Sequence, residues 1–200
     1  YKEHDLFIKE CEKAQIVPMT TLFNIKRIKD IYDMGFKSVK IASYDCGSFP
    51  LLEVISKNFE EVIVSTGASY DYEIEGAVNI LKRTKIKFSL LHCVTIYPTK
   101  LENYNLNRLN ILRKYTEDIG YSDHSLVKRD GINGTLCAIG MGAKVIERHF
   151  SILPSDQTKD GPVSVNGNHI KKLTEFCKLS DNEKFELLEK LDILKIVEGK

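Results

Sequence analysis

Two histidines stand at the ends of two β-prone runs, Gly120-Tyr121-Ser122-Asp123-His124 and Val145-Ile146-Glu147-Arg148-His149-Phe150, with a helix-like segment between them. If the two strands are adjacent and parallel, both imidazoles leave the same edge of one sheet. Two imidazoles with carboxylates nearby make a divalent metal site, and an ion there serves as a Lewis acid on a carbonyl oxygen. Two protein ligands leave positions open for substrate and water. A structural zinc wants four, which this chain does not offer at suitable spacing. A lone histidine on a strand is usually structural. Two at successive strand ends, each within two residues of a carboxylate, point to function. His124 and His149 are therefore the candidate metal ligands, for Mn, Mg or a similar ion, and Glu147 is a candidate catalytic carboxylate.

Other polar side chains fall at equivalent places. In Lys40-Ile41-Ala42-Ser43 a lysine sits in an apolar strand, where burial demands an anionic partner. Lys40 and Ser43 together suit a phosphate or carboxylate; the plain alternative is a surface lysine on an edge strand. Ser65-Thr66-Gly67 offers hydroxyls and amides before a helix, as phosphate ligands do. In Leu91-His92-Cys93-Val94-Thr95-Ile96-Tyr97-Pro98, His92 reads as a core histidine, while Thr95 and Tyr97 are better placed to meet a ligand. The polar loop 156–164 places Asp160 where it can accept hydrogen bonds from sugar hydroxyls. His4 and His169 lie on helix-like segments and read as surface residues.

These residues need a scaffold of alternating strands and helices. Strands are expected over 16–21, 38–42, 61–65, 86–93, 118–121 and 144–150. Helices are expected over 5–15, 25–34, from Pro50 to about Lys57, 71–82, 106–115, 131–141, 169–177 and 182–196. Gly35 and Pro50 are the clearest stop and start signals. Six strands alternating with helices imply a parallel sheet with right-handed crossovers. An open doubly wound sheet would gather its polar groups at one switch point, and no G-x-G-x-x-G or P-loop pattern is present. Here every strand carries polar groups at its C-terminal end, as in a (β/α)8 TIM barrel. The expectation is an incomplete barrel of about six parallel strands with helices outside, forming one domain over residues 1–200.

The bulk composition agrees. A chain of 200 residues with formal net charge +1 shows no bias toward nucleic acid or an anionic membrane. No apolar run is long enough to span a bilayer, and the opening Tyr1-Lys2-Glu3-His4-Asp5 lacks the apolar core of a signal peptide. The five scattered cysteines form no C-x-x-C pair, which reads as reduced thiols in a cytoplasmic protein, with Cys93 and Cys137 as core residues.

Taken together, the pieces resemble the N-acetylneuraminate (sialic acid) synthases and their relatives. The resemblance is carried by Thr20-Thr21-Leu22-Phe23, Lys40-Ile41-Ala42-Ser43, Val64-Ser65-Thr66-Gly67, Leu91-His92-Cys93 through Tyr97-Pro98, Ser122-Asp123-His124, Glu147-Arg148-His149-Phe150 and Thr158-Lys159-Asp160-Gly161-Pro162-Val163-Ser164, in order over about residues 5 to 180. It implies a barrel that condenses phosphoenolpyruvate with an N-acyl amino sugar such as N-acetylmannosamine, with water taking part and phosphate leaving. It implies that His124 and His149 hold the ion, and that Thr21, Lys40, Ser43, Ser65, Thr95 and Ser122 lie near the phosphate and carboxylate of phosphoenolpyruvate. Tyr97 and Asp160 would face the acceptor sugar. Asp45 lies where the family usually has a glutamate that handles the proton of the attacking water. The family's first two strands and its small C-terminal domain, which completes a homodimer, have no counterpart here. Two alternatives remain: a catalytically silent sugar- or phosphate-binding fragment, and an aldolase-like barrel with Lys40 as a Schiff-base lysine.

Overall fold

The computed structural model describes residues 2–191 and 193–199. The chain falls into two compact units, Tyr1–Leu90 and Leu91–Lys200. In the first unit, helix α1 (Lys2–Lys13) leads into strand β1 (Met19–Thr21), and α2 (Ile28–Asp33) leads into β2 (Ser38–Ile41). Helix α3 (Phe49–Asn58) then precedes β3 (Glu61–Ser65), and α4 (Asp71–Thr84) precedes β4 (Lys87–Cys93), which runs on into the second unit. β1 pairs with β2 and β2 with β3, all parallel. The alternation is set by burial: Val39, Ile41, Val62 and Val64 are fully buried. On α4, Ile74, Ala77, Val78 and Leu81 recur at helical spacing and form its buried stripe. The Glu73 carboxylate accepts from the Tyr70 amide at 2.8 Å and caps that helix.

The second unit continues with α5 (Arg108–Leu112), β5 (Ile119–Asp123), α6 (Val127–Asp130), α7 (Asn133–Gly140) and β6 (Val145–Arg148). Helices α8 (Gly167–Cys177), α9 (Asp181–Leu191) and α10 (Leu194–Glu198) close it. β5 and β6 are parallel. The small residues of α7 permit close packing. A Cβ on Gly134 would land in the Tyr104 ring, and one on Gly140 would strike Leu188. Over both units the strand order follows the chain, β1-β2-β3-β4-β5-β6.

Several boundaries differ from the sequence expectation. The first strand begins only at Met19, because Ile16 and Val17 are exposed (61% and 71%) and have no sheet face to fill. The helix expected over 25–34 opens as a 3-10 turn, Ile25–Arg27, capped by the Asn24 side chain. The helix expected over 106–115 shrinks to α5. Conversely, β5 extends through Asp123, two residues past the expected end, which brings Ser122 and Asp123 into the sheet. The expected helix 182–196 appears as α9 and α10; Asp192, between them, lies outside the described residues. All five cysteines are free, and Cys93 and Cys137 are buried as expected. No helix among the described residues is long and apolar enough to cross a membrane.

Candidate active site

The first unit carries the residues expected to bind an anion. Thr21 is the register partner of Lys40, and Lys40 that of Ile63. Because alternate residues of a strand share a face, Thr21, Lys40 and Ser65 belong to one side of these three strands. Lys40 is half-buried between the fully buried Val39 and Ile41. The Ser43 hydroxyl accepts from the Gly67 amide at 3.1 Å, and the Ser69 hydroxyl donates to the Ser43 carbonyl at 3.1 Å, so the turns after β2 and β3 are joined. Ser65 is 1% exposed, and its buried hydroxyl has no hydrogen-bond partner. Such orphans call for an explanation, and a ligand oxygen supplies one. Asp45 closes the 3-10 turn after β2. One of its carboxylate oxygens is buried without a partner, and burial raises its pKa. Raised affinity for a proton is what a carboxylate needs to take one from water.

The second unit carries the imidazole pair. The rings of His124 and His149 have centroids 5.3 Å apart in an edge-on arrangement. The Tyr97 ring lies over His124 at 3.8 Å and edge-on to His149 at 5.8 Å. Ser122 stands opposite Glu147 in the β5–β6 register and donates to its carboxylate at 2.6 Å. Nδ1 of His149 is 3.7 Å from the Asp160 carboxylate, and Nδ1 of His124 is 3.9 Å from the Cys93 thiol. The His124 pKa is pushed down to about 4, first by burial and then by neighbouring His149. At neutral pH the ring is uncharged and its lone pair is available to a metal. Burial, then charges at Cys93, Glu147 and Asp160, push Tyr97 up to about 12, so its hydroxyl stays a donor.

Thus Ser122, Glu147, His124, His149, Tyr97 and Asp160 come together in the second unit, while Thr95 lies exposed in the segment after β4. Thr21, Lys40, Ser43, Ser65 and Asp45 belong to the first. Among the described residues no group of three or more His, Cys, Asp or Glu gathers closely enough to enclose a metal, so an ion here would have only the two imidazoles as close protein ligands. His92 is a core residue, as expected. It is 6% exposed and bonds the Tyr104 carbonyl at 2.6 Å. His4 is exposed, but His169 is half-buried and caps α8, because its Nδ1 accepts from the Asn166 amide.

By its place next to His124, Asp123 is expected as a carboxylate near the metal pair. It is instead fully buried and paired with Arg148, whose charge the sequence reading left unused. The available signal was a charged residue inside each of two apolar strands, one before His124 and one before His149.

Comparison with known proteins extends the picture. The NeuB family model matches residues 1–184. N,N'-diacetyllegionaminic acid synthase of Campylobacter jejuni is 33% identical over 176 residues, 86% of this chain and 52% of that protein. N-acetylneuraminate-9-phosphate synthase of Drosophila melanogaster is 32% identical over 82% of this chain and 44% of its own. The crystal structure of N-acetylneuraminic acid (sialic acid) synthetase from Leptospira borgpetersenii, in complex with citrate, superposes with a TM-score of 0.81 at 33% identity, over 96% of this chain and 64% of that one. The chain spans about half the length of the curated relatives it matches. The fold is that of an incomplete (β/α)8 barrel.

Proposed function

Since the chain belongs to the NeuB family, we propose that it is part of a synthase joining phosphoenolpyruvate, an N-acyl amino sugar and water into a nonulosonic acid, with release of phosphate. The observation that carries this reading is the His124–His149 pair, 5.3 Å apart, with Glu147 and Tyr97 beside it. The named activities of the relatives support it, since they are synthases of sialic-type acids. N-acetylmannosamine or a close relative is the acceptor in this reading. In this reading residues 1–200 form one partial synthase domain of a cytoplasmic protein, and the homodimer belongs to the full-length family.

His124 and His149 would hold a Mn or Mg ion. When bound, the ion supplies Lewis acidity to the open-chain aldehyde of the sugar. Lys40 and the hydroxyls of Thr21, Ser43, Ser65, Thr95 and Ser122 bind the phosphate and carboxylate of phosphoenolpyruvate. Tyr97 and Asp160 bind hydroxyls of the sugar. Asp45 accepts the proton of the water that adds to the cationic carbon, and Glu147, oriented by Ser122, serves as the second catalytic carboxylate.

The test is phosphate release from the Mn-loaded chain with phosphoenolpyruvate. Release that depends on N-acetylmannosamine or a related amino sugar is expected. A folded, metal-loaded sample that binds phosphoenolpyruvate but frees no phosphate would sink the activity for this chain. It would favour the second reading, a silent sugar- or phosphate-binding fragment. The half-length coverage of the relatives is the observation behind that alternative.

A further inference from the structure

The imidazole pair is fastened from the opposite face of its own strands. In the parallel register of β5 and β6, Ser122 stands opposite Glu147 and Asp123 opposite Arg148. Successive rungs face opposite ways. The first rung meets through the Ser122–Glu147 hydrogen bond beside the histidines. The second meets as an ion pair whose Arg148 and Asp123 side chains are 2% and 0% exposed.

That pair is tied into its surroundings. Asp123 Oδ1 accepts from the Tyr104 hydroxyl at 3.1 Å and from the Ser125 amide at 2.8 Å. Oδ2 accepts from the Thr135 hydroxyl at 2.5 Å and from the Arg148 guanidinium. Arg148 also donates to the Ser125 hydroxyl at 2.9 Å, to Thr135 at 3.3 Å and to the Val163 carbonyl at 3.2 Å. One guanidinium therefore joins the end of β5, helix α7 and the loop that carries Asp160. Arg148 Nε is buried without a partner.

Such a pair is a poor stability device, because desolvating two charges offsets most of their attraction. It is a good register device. A one-residue slip of β6 along β5 would set Asp123 against Glu147 or His149, leave buried charges unpaired, and turn His149 to the other face.

We infer that Asp123, Arg148 and Thr135 are positioning residues: they lock β6 onto β5 and seat the 151–164 loop, so that His124, His149 and Asp160 are presented together. This rests on the reading of His124 and His149 as metal ligands. None of the three would touch the ion or the substrate.

The experiment compares the unaltered chain with Asp123→Asn, Arg148→Lys and Thr135→Val. Asn keeps the shape without the charge, Lys keeps the charge without the fork, and Val keeps the shape without the hydroxyl. Cobalt(II) affinity is expected to fall about 10- to 100-fold in the first two, the usual cost of losing an outer-shell support, and several-fold in Thr135→Val, with an altered ligand-field spectrum in each. The double variant Asp123→Asn/Arg148→Lys should bind no more weakly than the worse single one, since the two act as a unit. In the metal-free chain, the imidazole 1H–15N signals of His124 and His149 should move in all three variants while those of His4 stay. Unmoved signals and unchanged cobalt affinity in folded Asp123→Asn and Thr135→Val would overturn the inference. If Asp123→Asn does not fold, Thr135→Val decides. If the unaltered chain takes up no cobalt, or binds it equally well as His124→Ala and His149→Ala, the metal reading falls. The imidazole signals still decide the positioning.

Discussion

Burial keeps both His92 and His124 uncharged, and what each ring meets then separates their roles. His92 spends its Nε2 proton on the Tyr104 carbonyl at 2.6 Å, so it is fixed as a donor. His124 meets another imidazole and a thiol, and keeps ligand capacity. The His92 pKa is lowered to about 4 by burial and, more weakly, by the positive charge of Arg108, with the Tyr104 bond opposing. Between about 4 and the ordinary imidazole value of 6.5 the unfolded chain holds a proton that the folded chain refuses. The stability from this site is therefore whole above 6.5 and is lost as the pH falls toward 4, on the order of 3 kcal/mol. Urea unfolding across that range should show the decline, and His92→Gln, which can still donate to the carbonyl but does not titrate, should flatten it. A slope unchanged by His92→Gln would assign the loss to other groups. At this scale the sequence was informative about His124, His149 and the core character of His92, because strand-end placement and apolar flanks are local properties. It was silent about Asp123, whose role depends on four donors drawn from separate segments.

Strands and helices inherit such dependencies. The β/α alternation was readable, since buried Val and Ile alternate in β2 and β3 and helical spacing marks α4. Register was not, because no local signal says which residue of β5 faces which of β6; it is settled by pairs such as Asp123 and Arg148. Nor did the apolar run 16–18 show that it would lie outside the sheet. Close approach at α7 is a further element-level feature. A Cβ on Gly134 would overlap the Tyr104 ring, and the same Tyr104 donates to Asp123. Gly134→Ala gains about 1 kcal/mol of helix propensity, but overpacking a filled core costs about 1–3 kcal/mol. The clash should win, because Tyr104 is fully buried and has no room to yield. A lowered urea midpoint is expected; a raised one would mean that α7 shifts freely away from the ring.

For the molecule as a whole, family membership and fold class rest on agreement along nearly the full chain, 1–184 by family and 96% by structural superposition. The product was not legible, because relatives named for different acids are almost equally similar to this chain, at 33% and 32% identity.

One property of the whole composition gives the Tyr97–His124 contact a practical consequence. The chain has nine tyrosines and no tryptophan, so its near-ultraviolet emission is tyrosine light alone. Tyr97 lies 3.8 Å from the His124 ring. A paramagnetic ion such as Mn or Co arriving at His124 should quench that one fluorophore while the rest stay bright. The partial loss should vanish in Tyr97→Phe, whereas quenching that persists there would place the ion elsewhere. With that outcome the molecule would carry its own optical gauge of metal occupancy, readable without a label.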